Sequence, residues 1–129
     1  MEKILENFIA DEISYALFYN ELIKIAPTQE DASMLKEFAR DAAYHANTFK
    51  KIYRAMTGKE SNAIIKMPKM NDEYEKLLKD SALKESRSYK KYSEKYKITN
   101  NNTALKNALF DAKTDSGSHA LQILYMLSN

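Results

Sequence analysis

The polar residues of this chain with the most chemistry in them recur as a set. Glu12, Tyr19, Asp41 and His45 form one copy, and Glu85, Tyr92, Asp115 and His119 form the other. In each copy the tyrosine follows the glutamate by 7 residues and the histidine follows the aspartate by 4. Glutamate and histidine are 33 residues apart in the first copy and 34 in the second, and these are the chain's 2 histidines. Carboxylate supplies charge neutralisation and imidazole a directional nitrogen. Two Glu and two His are therefore a reasonable donor set for a divalent cation such as iron, manganese or zinc. Asp41 and Asp115 fall near the same helix face as the histidine four residues on, and they are further candidate ligands. Tyr19 and Tyr92 return to nearly the face of their glutamates, where a phenol can hold a ligating carboxylate in place. A charge inside a helical core is costly unless it is paired or binds metal, and here the same charge recurs in register.

Helices must position these groups. Gly 2 and Pro 2 in 129 residues point to long, uninterrupted helices. Apolar residues at three- and four-residue steps predict helices over about 2–26, 29–57, 71–97 and 103–128. Pro27 stops the first, Thr28 or Asp31 caps the second, and Gly58 ends it. The inner line of the third is read as Leu78, Ala82, Glu85, Tyr89, Tyr92 and Tyr96. Asn100, Asn101, Asn102 and Thr103 supply a turn and N-caps for the fourth. The midpoint of Glu12 and His45 falls in the Pro27–Thr28 turn, and that of Glu85 and His119 in the asparagine run. In an antiparallel hairpin each Glu then faces its own His, roughly 21–24 Å from the turn at ~1.5 Å per residue. All four converge only if both hairpins bury these stripes against each other.

The segment from Gly58 to about Met70 is too long for a simple link between neighbours. Fully extended it reaches roughly 43 Å, which favours a crossover. The expected fold is all-α: a four-helix bundle of two antiparallel hairpins joined by a long crossover, forming one domain over 1–129. Ile64, Ile65, Met67 and Met70 give the strap apolar groups to lay on the bundle.

Composition narrows the function. Cys 0 excludes disulfides, thiolate metal sites and cysteine catalysis, and it fits a reducing compartment. The first residues, Met1 to Phe8, do not read as a signal peptide, and no apolar run approaches the about 20 residues of a membrane span. A cytoplasmic protein is the expectation. Net charge +2 is too mild to suggest nucleic acid. The Arg87–Lys97 run interleaves bases with tyrosines, but its bases fall off the apolar stripe and read as a solvated face.

The whole pattern, a helix with Glu then Tyr, a helix with an acidic residue ahead of His-Ala, a long crossover, then a second round, resembles the ferritin-like superfamily. Its closest branch is the rubrerythrin-type diiron proteins. The resemblance implies that Glu12 and Glu85 are terminal carboxylates, that His45 and His119 are metal ligands, and that Tyr19 and Tyr92 stand behind them. It implies iron as cofactor, oxidation chemistry on peroxide or oxygen, and a separate protein as electron donor. The sequence departs from the pattern at the bridging carboxylates expected three residues before each histidine, where Ala42 and Ser116 stand. Ser88 also stands where some rubrerythrins place an additional carboxylate. Asp41 and Asp115 either substitute as shifted ligands or orient the histidines. The alternative is a non-catalytic structural homologue that binds one ion or none. Ile13, Leu17, Phe18, Ile25 and Leu124 fall partly off the inner stripes and offer a dimer surface.

Overall fold

Local capping chemistry sets most of the helix ends. In the computed structural model, which describes residues 1–129, the four helices are α1 (Glu2–Ile23), α2 (Gln29–Thr57), α3 (Tyr74–Ile98) and α4 (Thr103–Leu127), with no strand. The Thr28 hydroxyl accepts from the Asp31 amide at 3.1 Å and opens α2. Gly58, at φ +73°, closes α2 in the left-handed conformation that glycine adopts without strain. The Asn102 side chain accepts from the Leu105 amide at 2.9 Å and opens α4. α1 ends before the predicted Ala26. The amides of Lys24, Ile25 and Ala26 bond three residues back, to Glu21, Leu22 and Ile23. This tightened last turn precedes Pro27, whose ring disfavours α geometry in the residue before it. α3 begins at Tyr74 rather than Asn71, and its N-cap Glu73 makes no side-chain cap bond.

The chain divides into two compact units, Met1–Met70 and Asn71–Asn129, each an antiparallel helical hairpin. In the first, α1 buries Leu5, Phe8, Ile9, Glu12, Tyr19 and Leu22. α2 buries Leu35, Phe38, Ala42, His45, Phe49 and Ile52, among others. Large apolar groups of this kind contribute roughly 1.5–3 kcal/mol each when fully buried. Phe8 packs on Phe49 with ring centroids 5.6 Å apart, and Tyr19 on Phe38 at 5.4 Å. Both pairs share one midpoint in the sequence, between residues 28 and 29. That common midpoint is the register of the hairpin.

The strap after Gly58 lies along α1. The Asn62 amide donates to Glu6 Oε2 at 3.1 Å, and Ser14 Oγ donates to the Lys66 carbonyl at 3.3 Å. From Glu6 to Ser14 the helix rises about 12 Å, and the strap from Asn62 to Lys66 covers that with roughly 13 Å of extended chain. Of the apolar side chains expected to anchor it, Ile64 is 85% exposed and Met67 70%, while Ile65 and Met70 are more sheltered. Polar bonds hold its backbone.

In the second hairpin α3 buries Leu77, Leu78, Ser81, Ala82, Glu85, Ser88 and Tyr92. α4 buries Leu105, Leu109, Ala112, Ser116, His119 and Ile123. Near the turn, Tyr96 and Phe110 meet at 6.0 Å, and the Lys106 ammonium lies 4.0 Å from the Tyr96 ring centroid. Tyr89 departs from the predicted inner line. It is 44% exposed, and Ser88 takes the buried position instead. No helix is long and apolar enough to cross a membrane.

Candidate metal-binding site

Glu12 and His45 have the same sequence midpoint as the Phe8–Phe49 and Tyr19–Phe38 pairs, and they fall between those pairs along the helices. The first hairpin therefore carries its glutamate and histidine at one level, both buried. Below them lies the Phe8–Phe49 layer, and above them Tyr19, which is fully buried against Phe38. The ring of Tyr44 stands edge-on to that of His45 at 5.6 Å.

The second hairpin repeats the arrangement. Glu85 Oε2 and His119 Nδ1 are 2.9 Å apart, with both side chains buried. An ionised carboxylate only accepts hydrogen bonds, and opposite one Nδ1 is the donor. In the neutral Nδ1–H tautomer Nε2 keeps its lone pair, while the carboxylate orients the ring.

The two copies differ in what surrounds the pair. Along α3 the residues four before and three after Glu85 are Ser81 and Ser88, and three before His119 is Ser116; all three are buried. The corresponding positions of the first hairpin hold Phe8, Tyr15 and Ala42. The second pair thus sits in a hydroxyl-bearing stripe and the first in an aromatic one. Of this serine group, Ser81 has no precedent in the sequence pattern. The signal for it was a small polar residue one turn from a buried glutamate, and an apolar-stripe reading passes over serine.

Asp41 and Asp115 are only partly buried, outside the fully buried rows that hold the glutamates and histidines. Tyr19 and Tyr92 are both buried, where the repeat places them. The room that Gly117 leaves beside the histidine's helix is taken by an aromatic ring: a Cβ there would stand 3.1 Å from Tyr89 Cδ2.

The donor set can be matched to an ion. In neither hairpin do three or more His, Asp or Glu side chains gather closely enough to hold a metal. No buried side-chain nitrogen or oxygen lacks a hydrogen-bond partner. Ala42 and Ser116 are buried where a bridged two-ion centre needs carboxylates. A bridged pair of ions does not fit these residues. Each hairpin brings one carboxylate and one imidazole, two donors where a divalent ion takes four or more. Compared with protein-family models, with curated proteins and with solved structures, the chain matches none.

Proposed function

We propose that this chain is a divalent-metal-binding protein of the ferritin-like, rubrerythrin-like kind, with iron the favoured ion and manganese or zinc its competitors. Glu85 and His119 are the principal ligands, with Glu12 and His45 as their counterparts in the first hairpin. The buried 2.9 Å contact between Glu85 and His119 carries this proposal. It brings the two donor types that such an ion prefers onto facing helices in a water-poor setting. A bound iron would supply electron transfer to peroxide or oxygen, with the electrons delivered by a separate protein. The chain's own part is to hold the carboxylate and imidazole on facing helices, give up their mutual hydrogen bond to the ion, and exclude bulk water.

A second reading has its own observation. Because every buried polar atom already has a partner, the Glu85–His119 pair satisfies itself and needs no ion. The protein is then a structural homologue, and the pair is a polar element of a helical scaffold. One experiment separates the two. Protein produced with iron and manganese supplied is assayed for bound metal, and then for reductant-dependent peroxide consumption. Stoichiometric metal that His119→Gln removes supports the metal proposal, and turnover lost in the same variant extends it to catalysis. Metal-free protein whose melting temperature does not respond to added iron, manganese or zinc establishes the scaffold.

A further inference from the structure

The second hairpin carries an apolar groove that the metal proposal does not use. It runs between α3 and α4 with a volume of about 490 Å³, lined by Leu83, Ser86, Tyr89, Gly117, Leu121 and Leu124 among others. That volume falls within the roughly 300–1,000 Å³ of small-molecule sites. Leu121 is 70% exposed and Leu83 57%, so the groove opens to water. Ser86 and Gly117 are small and leave its middle unfilled.

A cation marks one end of it. On α4 the outward line is Lys106, Phe110, Lys113, Gly117, Leu121 and Leu124, at three- and four-residue steps. Lys113, one turn from Gly117, is half-buried. Its ammonium lies 4.9 Å from the Phe110 ring centroid and 5.6 Å from that of Tyr89, a wall of the groove. It makes no ion pair and no hydrogen bond, and the two rings alone hold it. Lys106, by contrast, is engaged at the turn, where it donates to the Tyr96 carbonyl at 3.3 Å. No carboxylate stands on this α4 line or on its α3 counterpart of Leu83, Ser86, Tyr89 and Ser93. The groove is therefore apolar along its length and ends at a positive charge without a counter-ion.

We propose that the groove binds one medium-chain alkyl carboxylate of the fatty-acid type, its chain along Leu124, Leu121 and Leu83 and its head at the Lys113 ammonium. From Lys113 to Leu124 the helix rises about 16 Å, the scale of such a chain when extended. Seating the chain removes apolar surface from water on both sides. The carboxylate supplies the charge-assisted partner that Lys113 lacks. A single compact ammonium answers a head of one charge, which favours a carboxylate over a phosphate. The site stands apart from the Glu85–His119 pair and needs no metal.

Equilibrium dialysis of the full chain in EDTA against radiolabelled dodecanoate, kept below its micelle concentration, tests the proposal. One equivalent is expected to bind. Lys113→Gln should weaken binding about tenfold, and Ser86→Phe, which fills the middle of the groove, should abolish it. Both positions are at least partly exposed, and helicity by circular dichroism should be unchanged in each variant. Dodecanol should bind the wild type about tenfold more weakly than dodecanoate and should not distinguish Lys113→Gln. Absence of uptake overturns the proposal, as does uptake that Ser86→Phe leaves intact. Several equivalents bound, or dodecanol held as tightly as dodecanoate, overturn it by reducing the groove to a patch that any apolar chain wets. Two further outcomes would give the groove to another occupant and overturn it too. One is a ligand-free wild type that sediments as a dimer while Ser86→Phe is monomeric. The other is co-sedimentation with phosphatidylglycerol vesicles without uptake of the free carboxylate.

Discussion

Removing the Glu85 carboxylate should destabilise the second hairpin far more than removing both members of the pair. The Glu85 side chain is buried and accepts from His119 Nδ1 at 2.9 Å. Glu85→Ala deletes one buried methylene along with the carboxylate, about 0.8 kcal/mol for the methylene. It also leaves a buried Nδ1 donor without its acceptor, roughly 1–3 kcal/mol more. The expected loss is about 2–4 kcal/mol. Glu85→Gln keeps an acceptor oxygen in place and should lose only about 1 kcal/mol, the difference between a charged and a neutral acceptor. Glu85→Leu combined with His119→Leu should fall within about 1 kcal/mol of wild type, because well-packed apolar groups replace a buried polar pair at little net cost. Urea unfolding followed by far-ultraviolet circular dichroism in EDTA gives all the required differences. If the losses from Glu85→Ala and His119→Ala add to within about 0.5 kcal/mol in their double variant, the two side chains are not coupled. The contact then neither holds the hairpin nor preorganises a ligand pair.

Other consequences follow from single contacts. Gly117→Ala should be neutral to stabilising by up to about 1 kcal/mol. The ring that its Cβ would meet at 3.1 Å belongs to the half-exposed Tyr89, which has room to shift; a clear loss in urea midpoint would show that ring to be fixed. Thr28→Ala and Asn102→Ala each remove a side-chain cap and should each lose about 1 kcal/mol in the same assay. Glu6→Ala removes the acceptor of the Asn62 amide. It should speed hydrogen exchange at that amide while leaving global stability within about 0.5 kcal/mol.

Much of the architecture was legible because the strongest signals are local. Thr28 and Gly58 bracket α2 as capping chemistry requires, and the predicted bounds of that helix match the observed ones. The common level of Glu12 and His45, and that of the bonded Glu85 and His119, followed from turn position alone, since an antiparallel hairpin fixes which residues share a level. What was not legible turned on residues whose hydropathy misstates their place. Tyr89 reads as core and lies out over Gly117, while Ser81 and Ser88 read as surface and lie inside. A small residue is buried beside a polar pair because the pair sets the local demand for hydroxyls, which no apolar stripe encodes. The strap misled in the same way. Its isoleucine and methionines suggested anchoring, yet Glu6 and Ser14 hold its backbone.

Anomalous scattering from crystals of the full chain grown with iron tests the metal assignment most directly. A peak at about 2.0–2.3 Å from a Glu85 oxygen and from a ring nitrogen of His119, in place of their mutual hydrogen bond, is the predicted result. An undisturbed Glu85–His119 hydrogen bond with no anomalous density beside it, at saturating iron, would contradict the assignment.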